Sequence, residues 1–176
     1  MRTCFELVLK IALAALLSLP LLSSGSLAAD PHTDLVAAIQ ETGTEFLLTG
    51  DDCGTTVLGF YESGARRLTV CAEQGVAHMD AEQLDTLRHE AIHLVQDCLG
   101  GGRAGDLALQ RIFNDEITGR MVATSGVDPD RIHDAYVMLS DADEHVVALE
   151  VEAFAAAGSL GGDEVAWLVR RACGLS

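Results

Sequence analysis

The chain has 176 residues, 49 % of them apolar, and a formal net charge of −16. That length is enough for one domain with a buried core. So acidic a chain is a poor candidate for binding nucleic acid or an anionic membrane surface, and its single lysine, Lys10, leaves arginine as the basic residue of everything that follows.

At the N-terminus, Arg2 and Lys10 flank an apolar run from Ile11 to Leu22, and Ser26-Leu27-Ala28 precedes Ala29. A charged start, a short apolar stretch and a small-residue cleavage site together read as a secretory signal peptide over residues 1–28. The run is too short for a comfortable membrane span, so no stable membrane insertion is expected once it is cleaved. Residues 29–176 then form a single domain, expected to be secreted or periplasmic. Cleavage removes Cys4 and leaves Cys53, Cys71, Cys98 and Cys173. An even number of cysteines in an exported chain suggests two disulfides, with three connectivities possible. Cys53–Cys71 is favoured because it ties the ends of a local hairpin. Cys98–Cys173 is favoured because it staples a C-terminal helix to a central one. Four reduced, buried cysteines are the alternative.

Beyond the signal, Asp34 to Gln40 reads as a short helix capped by Thr33, with Leu35, Val36 and Ile39 on its buried face. Glu45 to Thr49 suits a first strand. Two runs rich in β-formers, Thr55–Glu62 and Arg66–Cys71, are joined by Ser63-Gly64-Ala65 and predict a β-hairpin. A long helix follows from about Ala81 to Leu99. Asp80 and Gln83 have capping-box spacing, and Gly100-Gly101-Gly102 ends the helix. The glycine-rich stretch to Gly105 is a loop. Further helices are expected over about Asp106–Val122, Asp128–Leu139, Ala142–Ala157 and Asp163–Cys173. The class is α+β: a small N-terminal antiparallel sheet followed by a mostly helical core.

The long helix carries the chemistry. It contains His89-Glu90-Ala91-Ile92-His93, the pattern H-E-x-x-H. Two histidines four apart lie one above the other on one helix face, so both imidazoles can reach one metal ion. Glu90 points about 100° away, where it can hold and deprotonate a water activated by that ion. Leu84, Leu87, Ala91, Leu94, Val95 and Cys98 form an apolar stripe, and the histidines lie nearly opposite it. One side of the helix is therefore expected to pack into a core while the histidines look the other way. A hydrolytic zinc site needs a third protein ligand and an open position for water. The candidates are Glu150 and Glu152, about 200° apart on one helix, so only one can reach the metal. Glu152 is favoured because Ala148, Ala155 and Ala156 flank it and let its helix approach closely. Glu150 shares its face with Val147, Phe154 and Ala157, which read as core.

His89-Glu90-Ala91-Ile92-His93 followed by Glu152-Ala153-Phe154-Ala155 resembles the gluzincin branch of the zinc metallopeptidases, the zincins. The metzincin pattern is absent, because Gln96 and Leu99 occupy the positions where it needs glycine and histidine. The resemblance covers two helices. It implies a zincin-like core with His89, His93 and Glu152 on zinc, Glu90 as general base, and a short sheet whose edge strand lines the substrate cleft. The reaction expected from it is hydrolysis of a peptide or protein substrate by a secreted metallopeptidase. A further donor must stabilise the oxyanion; His145, Tyr136 and His133 are the candidates. Gln96 and Asp97 are placed to orient a ligand imidazole. Competing expectations are a catalytically silent zinc-binding protein, a disulfide-stapled interaction module, and a non-peptidase hydrolase with the same metal geometry.

Overall fold

Asp30 opens the first helix, α1 (Pro31–Glu41), by accepting a hydrogen bond from the His32 N–H at 2.8 Å. The cap lies three residues before the expected Thr33, because Pro31 is pre-set for a first helical turn and needs no N–H partner there. The structure, a computed structural model, describes residues 30–51, 53–54, 57–102, 108–140 and 143–175. The expected signal peptide lies outside the described residues.

Strand β1 (Glu45–Leu47) follows, then the hairpin β2 (Gly59–Glu62) and β3 (Arg67–Val70). The strand order is β1-β3-β2. The hairpin pairs antiparallel with Tyr61 opposite Leu68, as expected, but β1 pairs parallel to β3 with Phe46 opposite Leu68. The sheet is therefore mixed rather than antiparallel, and it stands after α1 rather than at the N-terminus. β1 can join in parallel because a long segment, residues 48–58, carries the chain to β2. That placement leaves β3 central, with Leu68, Thr69 and Val70 fully buried, and β2 at an edge.

The central helix α2 (Ala81–Gly100) has the predicted capping box between Asp80 and Gln83 and ends at Gly101, whose φ of 87° suits glycine. Its residues from Leu87 to Asp97, Arg88 excepted, are buried. The expected apolar stripe faces the sheet and the last helix. The histidine side is also covered, by a second layer of helices.

That layer consists of α3 (Asp115–Ser125), α4 (Pro129–Ser140) and α5 (Glu144–Ser159); α6 (Gly162–Ala172) then packs on α1 and α2. α3 begins at Asp115, capped by Asn114, and not near Asp106 as the pattern suggested. The reason lies in the backbone of the preceding stretch. The Gln110 N–H donates to the Gln96 carbonyl at 3.0 Å, and the Ile112 and Phe113 N–H groups donate to the Glu152 carboxylate at 2.9 and 3.0 Å. These donors are satisfied by other elements, so a helix there is not needed to pair them.

Both favoured disulfides are present, Cys53–Cys71 and Cys98–Cys173. They point to an oxidising, extracytoplasmic setting. No helix among the described residues is long and apolar enough to cross a membrane.

Candidate metal centre

Four elements position the side chains of the site. α2 presents His89, Glu90 and His93, all nearly buried. The two imidazoles meet edge to face with centroids 4.7 Å apart, and their Nε2 atoms are 3.1 Å apart. α5 brings Glu150 against both: one carboxylate oxygen is 3.4 Å from His89 Nε2 and the other 3.5 Å from His93 Nε2. α4 adds Tyr136, half-buried and hydrogen-bonded to Glu150. β2 closes the fourth side, where the Tyr61 backbone N–H supports the Glu90 carboxylate.

The approach of β2 to α2 depends on one residue. A Cβ on Gly59 would come within 2.6 Å of Thr86 Cγ2 and 2.7 Å of the Thr69 carbonyl oxygen. Only glycine lets the edge strand lie this close to Glu90.

Glu150, not Glu152, stands beside the imidazoles, which corrects the expectation for the third acid. Glu152 is fully buried and occupied elsewhere. It accepts from the Ile112 and Phe113 N–H groups and from Gln96 Nε2 at 3.0 Å, and Arg111 Nε lies 3.6 Å from it. α5 does pack against α2, but there Glu152 faces Gln96 and the segment before α3. The face read as core is the one turned to the histidines: Phe154 is 39 % exposed and its ring centroid lies 4.2 Å from that of His89.

The remaining predicted residues divide in the same way. Gln96 is bonded to one of the two imidazoles, its Oε1 accepting from His93 Nδ1 at 2.8 Å. Since Gln96 also donates to Glu152, the buried acid steadies His93 through one intermediary. Asp97 does not face the imidazoles in this way; it accepts from the Tyr61 hydroxyl at 2.7 Å and pins β2 to α2. His145 does not line the cavity of the centre; it donates from Nε2 to the Leu109 carbonyl at 3.0 Å. His133 is exposed beside Asp134. Of the three candidate donors, the structure brings only Tyr136 to the site. Tyr61 and Gly59, which the motif pattern does not mark, were legible only as hairpin residues.

The electrostatics are those of acids and imidazoles forced together away from water. Burial raises the Glu90 carboxyl above its usual range, opposed by the two histidines. Burial would depress His93, but the Glu150 carboxylate and then Glu90 and Gln96 lift it to about 9. Burial alone would raise Glu150; hydrogen bonds from His89 and His93 instead hold it well below the ordinary carboxylate range. Tyr136 is raised by burial first and then by Glu150.

His89, Glu90 and His93 form a group that could hold a metal ion, with donor atoms all within 4.8 Å of one another. Glu150 stands beside this group. Donors about 2.0–2.1 Å from a tetrahedral zinc ion stand roughly 3.3–3.4 Å apart, close to the 3.1, 3.4 and 3.5 Å found between the two Nε2 atoms and the Glu150 oxygens. Glu150 Oε2 is moreover a buried oxygen that makes no well-aligned hydrogen bond, its polar neighbour being His89 Nε2 at 3.4 Å, a position that a cation between them would satisfy. Two cavities of about 340 and 550 Å³ meet here, sharing Gly59, His89, Glu90 and Tyr136 as walls.

No family model, no curated protein and no solved structure matches the chain.

Proposed function

We propose that the protein is a zinc-dependent hydrolase of peptide bonds with a zincin-like core, in which His89, His93 and Glu150 hold the metal and Glu90 is the general base. One observation carries this reading. Two imidazole nitrogens 3.1 Å apart and a carboxylate from another helix, one oxygen 3.4 Å from His89 Nε2 and the other 3.5 Å from His93 Nε2, converge, with a second carboxylate beside them at the wall of an open cleft. A structural zinc site has no need of that second acid or of a cleft.

Zinc would supply Lewis acidity, polarising the scissile carbonyl and bringing a water's pKa toward 7. The chain's own residues do the rest. Glu90, raised by burial, is suited to take a proton from the attacking water and pass it to the leaving amine. The Tyr61 N–H holds its carboxylate in place. Tyr136 lines the same cavity with its hydroxyl hydrogen-bonded to Glu150, and turning that donor from Glu150 to a developing oxyanion would stabilise it. Gln96 keeps His93 in the tautomer that leaves Nε2 free for a metal.

The edge strand supports a peptide as substrate. The Cys71 N–H donates to the Leu58 carbonyl, so by the alternation of an antiparallel ladder the backbone groups of Gly59 and the Tyr61 carbonyl face outward from the sheet, the Tyr61 N–H being taken by Glu90. An extended peptide can add there as a further strand beside Glu90. Beyond it, Val57, Leu58 and Phe154 line the larger cavity with exposed apolar surface.

The test is metal analysis joined to a hydrolysis assay on blocked peptides and on esters. Stoichiometric zinc, with peptide cleavage that is lost in Glu90→Gln while the zinc stays, is the expected result. Zinc without any turnover would replace this reading with a silent binding protein, and turnover of esters alone would replace it with a non-peptidase hydrolase.

A further inference from the structure

We propose that the groove beside Trp167 is a docking site for a basic segment of a partner polypeptide, an arginine or lysine side chain lying along the indole with its charged end at Asp163 and Glu164. The site is separate from the candidate metal centre and does not depend on the hydrolase reading.

The groove is a consequence of how α6 packs. Val165, Ala166 and Val169 turn into the core, and Trp167 is left on the outer side, 63 % exposed, more than any other large apolar side chain among the described residues. Phe113, Met121, Leu160 and Leu168 line a hollow of about 370 Å³ beside it. Asp163 and Glu164, in the first turn of the same helix, close it on the acidic side. Glu164 is held in position by accepting from the Gly161 N–H at 2.8 Å. No basic residue lines the hollow. Arg170, one turn on, is engaged with Asp34 and Glu41.

An exposed indole, an apolar floor and two carboxylates match the three parts of a long basic side chain. The methylene stem covers the floor, the ring face attracts the cation, and the acids pair with it. A purely apolar occupant would cover the carboxylates without pairing them. An acidic occupant would be repelled. A second copy of this chain would bring its own charge of −16 onto an acidic rim.

The experiment uses the fact that Trp167 is the only tryptophan, so indole fluorescence reports on this groove alone. The purified protein is titrated at low ionic strength with the blocked peptide Ala-Leu-Arg-Ala and with Ala-Leu-Glu-Ala. A saturable change in emission with the arginine peptide is expected, with binding at least tenfold weaker for the glutamate peptide. The same loss is expected in Asp163→Asn, an exposed change, and in Glu164→Gln, which keeps the acceptor for Gly161. Circular dichroism confirms that both variants fold. No response, an equal response to the two peptides, or unchanged affinity in both variants would overturn the proposal. So would an emission shift that follows protein concentration without peptide, which would make self-association the occupant.

Discussion

Glu150 and Glu152 are two residues apart on one helix and have opposite surroundings. Glu150 faces two imidazoles across a cleft, whereas Glu152 is enclosed by donors. Their substitutions should therefore separate cleanly. Glu150→Gln should lower zinc affinity by 10-fold or more with little change in melting temperature, read by metal titration and thermal unfolding. Glu152→Ala should do the reverse. It strands the Ile112 and Phe113 N–H groups and one Gln96 donor, which should cost at least roughly 3 kcal/mol of stability. At Glu90, the glutamine variant should lose about 10²-fold or more in kcat while binding the same zinc. A Glu152 variant that lost its metal without losing stability would restore the original ligand assignment.

At the scale of elements, α1 and α6 are joined by an ion-pair network. Arg170 donates to Asp34 through both terminal nitrogens, at 2.8 and 2.9 Å, and to Glu41 through Nε at 2.8 Å. Those bonds hold the Asp34 carboxyl below its usual range. A depressed carboxylate contributes stability above its unfolded pKa and loses it as pH falls through its folded pKa. Arg170→Met should therefore lower stability at pH 7 and converge with the wild type as pH falls below about 4. The pair is partly exposed, so the effect should be about 1 kcal/mol or less. Thermal melts of both proteins across that pH range measure it; a gap that persists undiminished at pH 2 would mean that Arg170 acts by packing.

Over the whole molecule, the two disulfides staple different things. Cys53–Cys71 closes a short loop beside the edge strand, and Cys98–Cys173 ties the end of the motif helix to the last helix across a sequence separation of 75. Chain entropy makes the longer closure the more stabilising, roughly 4 against 3 kcal/mol. Replacing Cys98 and Cys173 together by alanine should lower the denaturant midpoint more than replacing Cys53 and Cys71. The opposite order would show that the smaller staple carries more native structure.

What the amino-acid order determined alone was whatever is written in local spacing. The motif helix with its capping box, the hairpin, the four later helices in outline, the local Cys53–Cys71 pairing and the His89, Glu90, His93 cluster are patterns within one element or between neighbours, where side-chain period and cap chemistry decide the outcome. Three matters were decided only by the tertiary structure. β1 joined β3 in parallel, α3 began nine residues later than its apolar pattern suggested, and Glu150 rather than Glu152 turned toward the imidazoles. Each depends on the rotation or register of one element against another. A helical wheel places Glu150 and Glu152 on opposite sides, but it cannot say which side meets α2. That was settled by where the buried donors of Gln96, Ile112 and Phe113 needed an acceptor, and one carboxylate enclosed there left the other facing the cleft.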